Sequence, residues 1–125
     1  MSAADDQDAS PPPESPAPFA VPRRLPRYKL DVRVRVSVPR TGQLIHARSA
    51  DISEHGLAFF APLELELKEA VELEFTLPYS RHPQRCAAMV RNRSGYRYGV
   101  EFEHLSATAR QAMARACTAL ALLTD

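Results

Sequence analysis

From residue 31 onward the chain alternates. Val32, Val34, Val36 and Val38 fall on one side of an extended backbone, while Arg33, Arg35 and Ser37 fall on the other. Side chains two apart share a face of a strand, and β-branched residues suit its pleat, so this stretch predicts a strand with one buried face. "PRTG" at 39–42 combines Pro39 with Gly42 and predicts a turn. A second strand over 44–52 follows and runs into "SEHG". There Gly56 is expected to supply a positive φ ahead of a returning strand over 57–60. "LELELKEAVELEFTL" at 63–77 alternates throughout. Residues 71–77 predict a strand with Val71, Leu73, Phe75 and Leu77 inward and Glu72 and Glu74 outward; the part before it reads as a loop or an edge strand. "PYSRHPQ" at 78–84, with Pro78 and Pro83, predicts a connection. Segments 85–93 and 97–103 then form a hairpin around "SGY", with Gly95 in the turn.

The period changes only at the end. Ser106 is placed to cap a helix over 106–122 whose Ala109, Ala112, Met113, Ala116 and Leu120 share one face. Six short antiparallel strands and one terminal helix predict a mainly β fold, a small six-stranded antiparallel barrel with a C-terminal α-helix.

Residues 1–20 break with this pattern. They are built from Ala, Asp, Ser and Pro, with "PPPESPAP" at 11–18, and lack the apolar content that offsets ordering entropy. A disordered Pro/Asp-rich arm is expected there. Pro13 and Pro16 have the PxxP spacing of a groove ligand, although a plain spacer is the simpler reading. The folded domain is expected over 21–125, as a loop at 21–30, a barrel at 31–104 and the helix. A chain of 125 residues has room for one domain of modest core. No apolar run reaches about 18 residues, so membrane insertion is not expected. The acidic, non-apolar start argues against a secretory signal and for a cytoplasmic protein. Cys86 and Cys117 stand far apart without metal-ligand spacing, as reduced, buried or idle thiols.

The net charge of +1 hides a segregation. Residues 1–20 hold four acids and no Lys or Arg; residues 21–50 hold eight Lys/Arg against Asp31 alone. Residues 51–80 hold seven acids against Lys68, and the remainder is again basic. Blocks of one sign suggest a surface with a positive side, a weak pointer to an anionic partner. Little in the chain resembles a catalytic centre. His46, His55, His82 and His104 are scattered, and no GxSxG, Walker or GxGxxG pattern occurs. The pairs Glu64/Glu66 and Glu72/Glu74 each share a solvent face, which suits solubility and edge protection. No enzymatic activity, metal or cofactor is expected.

Two constellations stand out. The first is Arg23-Arg24-Leu25-Pro26-Arg27, an RxxxR with an additional arginine inside it. Pro26 turns Leu25 away from the α region and Pro22 does the same for Val21, so the stretch is extended or looped. Extended, Arg23 and Arg27 point to one side, at most about 14 Å apart by chain reach; looped, they close on one ligand. Guanidinium groups bind phosphate in pairs of hydrogen bonds, stack on purine faces and read the guanine O6/N7 edge. The second is Asp51-Ile52-Ser53-Glu54-His55-Gly56, a DxSxxG at a strand end. Alternation puts Asp51 and Ser53 on one face and Ile52 in the core. Asp51 can accept from the N–H groups of a guanine, Ser53 offers a hydroxyl, and Gly56 a tight turn. Alone, DxSxxG is also a common turn into a hairpin.

RxxxR, an alternating valine strand and then DxSxxG together resemble the PilZ domain family. The resemblance continues in "GLAFFAPLEL", "VELEFTLP" and "GYRYGVEFEHLS", so it spans roughly residues 21–122. It implies a PilZ-like split barrel and a non-enzymatic receptor for the bacterial second messenger cyclic di-GMP. By that resemblance Arg23 and Arg27 grip phosphates and guanine faces, with Arg24 inside the motif as a lesser ligand-binding candidate, while Asp51 and Ser53 meet a guanine and Gly56 shapes the turn. Ligand binding would order the arginine loop against the barrel and alter a surface for an unidentified downstream protein. The position before RxxxR, often basic in the family, is Pro22 here, which leaves open how many ligand molecules are held. Two other uses of such a fold differ in kind. One is a PilZ-fold interaction module that binds proteins and no nucleotide, which degenerate motifs would favour. The other is a barrel for single-stranded nucleic acid, which wants aromatic platforms among its basic groups. Only Tyr28 lies near the arginines, so nucleic acid is not the expected partner.

Overall fold

The computed structural model describes residues 26–123. The expected arm at 1–20 and the arginines Arg23 and Arg24 lie outside the described residues. Seven strands and one helix follow in order: β1 (Tyr28–Lys29), β2 (Arg33–Val38), β3 (Gln43–Ile52), β4 (Gly56–Phe60), β5 (Ala70–Thr76), β6 (Pro83–Ser94), β7 (Arg97–Glu103) and α1 (Ala107–Leu123). All these pairings are antiparallel. β3 pairs with β2, β2 with β5, β5 with β6, β6 with β7, β7 with β4, and β4 with β3 again. Six strands therefore close into a barrel, as the alternation pattern leads one to expect. β1 is an addition to it, two residues that pair with the end of β3.

Closure depends on the length of β3. Its first part pairs with β2, Arg48 opposite Arg33 through Gln43 opposite Val38. Its last part pairs with β4 on the other edge, with a register shift between Ser49 and Asp51. Such an irregularity bends a strand and raises its twist, which lets one strand serve two sides of a small barrel. The interior is filled by the inward members of the alternating runs. Val34, Val36 and Val38, then Val71, Leu73 and Phe75, and Val90, Tyr98 and Val100 are all buried. Met113, Ala116 and Cys117 of α1 add to the same core. Ser106 Oγ accepts from the Ala109 N–H at 3.0 Å and caps the helix, as its position suggests. Both cysteines are free and buried, and desolvation pushes Cys86 up to about 12 and Cys117 up to about 11.

The alternating "LELEL" run forms no strand; residues 63–69 are irregular. Their backbone groups find a side chain in place of a ladder. The Tyr98 hydroxyl donates to the Leu63 carbonyl at 2.5 Å and accepts from the Leu65 N–H at 3.0 Å. Tyr98 is itself fully buried, with its ring 6.0 Å from that of Phe59. Tyr98→Phe strands the buried Leu65 N–H and is expected to cost about 1–3 kcal/mol. Chemical denaturation checks this, and an unchanged midpoint at unchanged slope would refute it.

At the far end of the barrel Arg40 clamps Glu69. Its Nε donates to Oε2 at 2.8 Å and its Nη2 to Oε1 at 3.0 Å. These hydrogen bonds hold the Glu69 carboxyl below its ordinary 4.5, against the upward push of desolvation. The unfolded chain then binds the proton more readily, so this contribution is complete above the ordinary value and lost as pH falls through the lowered one. Stability measured against pH should fall less steeply on the acid side in Glu69→Gln than in the native chain.

Candidate functional site

β1 exists because Tyr28 stands opposite Ile52 and Lys29 opposite Asp51. The link from β1 to β2 is stitched to β3 by a buried serine. Ser49 Oγ accepts from the Val32 N–H at 2.9 Å and donates to the Leu30 carbonyl. The backbone adds Leu30 N–H to the Ala50 carbonyl at 3.2 Å and Ser49 N–H to the Val32 carbonyl at 2.9 Å. This pairing fixes the residue just before β1. Arg27, last of the RxxxR run, reaches Asp51, first of DxSxxG, with Nη1 to Oδ1 at 3.0 Å.

A third residue joins them. Arg97, first of β7, donates from Nη2 to Asp51 Oδ2 at 2.6 Å. Asp51 thus has one carboxylate oxygen on each of two guanidinium groups, and its side chain is 16% exposed against 47% for Arg27 and 40% for Arg97. The carboxylate is sheltered and the cations are open to solvent. Arg97 is the residue that sequence reasoning missed. It lies 46 positions from Asp51 and carries no motif, so only the pairing of β4 with both β3 and β7 brings it there.

The rest of DxSxxG builds a tight corner between β3 and β4. The Ser53 N–H donates to the Gly56 carbonyl at 2.9 Å, and Ser53 Oγ accepts from the His55 N–H at 3.3 Å. Ser53 is buried, and Ile52 before it is a core residue. Gly56 departs from expectation. The glycines with positive φ are Gly42 and Gly95, and Gly56 is not among them. It stands opposite Glu101 in the ladder that closes the barrel, and a Cβ there would run into the backbone carbonyl of Val100. The constraint on Gly56 is one of space.

Among the described residues no cluster of His, Cys, Asp or Glu has the makings of a metal site. No helix among them is long and apolar enough to cross a membrane. A sheltered carboxylate between open guanidinium groups suits a ligand that offers both N–H donors and anionic oxygens.

Comparison with known proteins bears on the fold that carries this arrangement. No curated protein sequence matches the chain. Among solved structures, the inhibitor of motility from Bacillus subtilis superposes with a TM-score of 0.67 at 21% identity, covering 82% of this chain and 52% of that one. This chain thus spans about half the length of that protein. The PilZ domain of YcgR from Escherichia coli, solved with c-di-GMP, gives a TM-score of 0.66 at 16% identity, over 81% of this chain and 92% of that one. The PilZ domain of CeSA from a cellulose-synthesizing bacterium gives 0.60 at 15%, over 80% and 99%. At these identities the likeness is one of fold, and it agrees with the closed barrel and terminal helix. The sequence profile of the PilZ domain matches residues 22–119, from just before the RxxxR run to the last turns of α1. With the barrel, the two motifs and their meeting at Asp51 in place, the chain belongs to the PilZ domain family.

Proposed function

We propose that this chain is a non-enzymatic receptor for cyclic di-GMP. The observation that carries the reading is the ion pair between Arg27 and Asp51, which joins the RxxxR and DxSxxG motifs 24 residues apart. Family membership and the ligand bound to the Escherichia coli YcgR domain support it. In this reading the guanine N–H donors take over Asp51 from Arg27 and Arg97. The released guanidinium groups turn to the phosphates, joined by Arg23 and Arg24 of the same motif. The Arg27–Asp51 pair is exposed, and such pairs are worth about 0–1 kcal/mol, so exchanging it for ligand contacts costs little. Ser53 and Gly56 hold the corner that presents Asp51. Residues 27–30 are already held against β3, so ligand contacts draw Arg23 and Arg24 to the same site and change the surface offered to a downstream protein.

Calorimetric titration with cyclic di-GMP, beside GTP and a short single-stranded oligonucleotide, tests this. Saturable binding of cyclic di-GMP alone is expected, with the ligand recovered chemically unchanged. Absence of both heat and thermal shift would favour an interaction module without nucleotide. Steeply salt-dependent binding of the oligonucleotide would favour a nucleic-acid surface.

A further inference from the structure

We infer that Phe60, on the outer face of β4, is a stacking platform for a base of the bound dinucleotide. The inference rests on the receptor reading above and adds to it a residue that neither motif contains. Leu57 and Phe59 point into the barrel, so alternation directs Ala58 and Phe60 to the other face, where Ala58 is itself fully covered and Phe60 is the residue of β4 that is open to solvent. Phe60 is 50% exposed. Single exposed apolar side chains are ordinary on a protein surface; the address of this one is not. Its cross-strand partners are Arg48 on β3 and Arg97 on β7. An aromatic ring therefore stands between two arginines in one row across three strands. Arg97 is the cation that reaches Asp51, and Asp51 itself stands opposite Ala58. Phe60 lies two residues further along β4, about 7 Å at strand rise, within the span of a dinucleotide held at Asp51.

The chemistry fits what the polar residues leave undone. Asp51 takes the edge of a base and the guanidinium groups take phosphates, but a purine also has an apolar face. Without a surface for that face the site would hold any compact phosphodiester with an N–H donor. Phe60 supplies the surface, while of the arginines beside it Arg97 serves Asp51 and the phosphates and Arg48 is held by Asp31, with Nη2 and Nε at 2.7 and 3.0 Å from Oδ1. The barrel interior has no need of this ring, since Phe59 and Tyr98 fill it from within.

The test uses Phe60→Ala and Phe60→Trp in the full chain, with cyclic di-GMP as probe. Base–aromatic stacking predicts that Phe60→Ala weakens binding between about 5-fold and 150-fold, with thermal unfolding close to that of the native chain. Leu44→Ala, also 50% exposed but at the start of β3, should bind as the native chain does. The chain contains no tryptophan, so Phe60→Trp introduces a single reporter whose emission should be quenched at saturation. If the native chain binds and Phe60→Ala binds equally well, or the emission of Phe60→Trp stays unchanged on saturation, the stacking role is wrong and the receptor reading stands. If the native chain itself binds no cyclic di-GMP, both fall together.

Discussion

Arg27→Ala is expected to lower cyclic di-GMP affinity by on the order of 100-fold or more while leaving the barrel folded. Hydrogen bonds to charged groups contribute about 1.5–3 kcal/mol each, and a guanidinium offers two to one phosphate. The fold should hardly register the change. Arg27 precedes β1, is 47% exposed, and its ion pair is with a carboxylate that keeps Arg97 as a partner. Exposed pairs of this kind contribute about 0–1 kcal/mol, so the melting temperature should move by only a few degrees. Arg27→Lys should fall between, because an ammonium keeps the charge and loses the planar fork. Calorimetry beside thermal unfolding separates the two effects. Equal affinity in native chain and Arg27→Ala would end the proposal that this arginine clamps the ligand.

Gly56→Ala should act on the other quantity. Here the added Cβ meets the Val100 carbonyl, a backbone atom inside the β4–β7 ladder. Backbone cannot step aside as a flexible side chain can. The neighbouring bonds hold it, with the Ser53 N–H on the Gly56 carbonyl and the Phe102 N–H on the His55 carbonyl at 2.8 Å. Overpacking of this kind costs about 3 kcal/mol, a fall in melting temperature on the order of 10–20 °C for a domain of this size. Gly56→Asn distinguishes the cause. Asparagine tolerates a left-handed backbone but carries the same Cβ. If space is the constraint, Asn and Ala destabilise alike; a markedly milder Asn would restore the conformational explanation.

The strands were legible wherever burial on one face left a period of two. The valines of β2 and the Val71, Leu73 and Phe75 series of β5 announce their inward faces, and Gly42 and Gly95 announce their turns. At 63–69 the same rule leaves loop and edge strand undivided, and the structure has the loop. Alternation there describes side chains correctly, since Leu65 is buried, but a strand also needs a backbone partner. Tyr98, more than thirty residues away, provides hydrogen bonds that no ladder does. β1 escapes the pattern for the opposite reason. Two residues are too few to show a period, and β1 exists only because β3 offers an edge beside Ser49 and Asp51. The motifs named Arg27, Asp51, Ser53 and Gly56 from one-dimensional spacing. Arg97 and Phe60 carry no local signal, because what selects them is the register of β7 and β4 against β3.

That register has a temporal side. The domain supplies Arg27 early, Asp51 in its middle and Arg97 late, and the last strand is the one that zips β6 to β4. During synthesis the first two residues leave the ribosome well before the third. A nascent chain halted before β7 holds both signature motifs yet has neither a closed barrel nor a second cation for Asp51. On the proposed receptor reading, a product halted before β7 is therefore expected not to bind cyclic di-GMP, since it lacks the closed barrel and the Arg97 partner of Asp51.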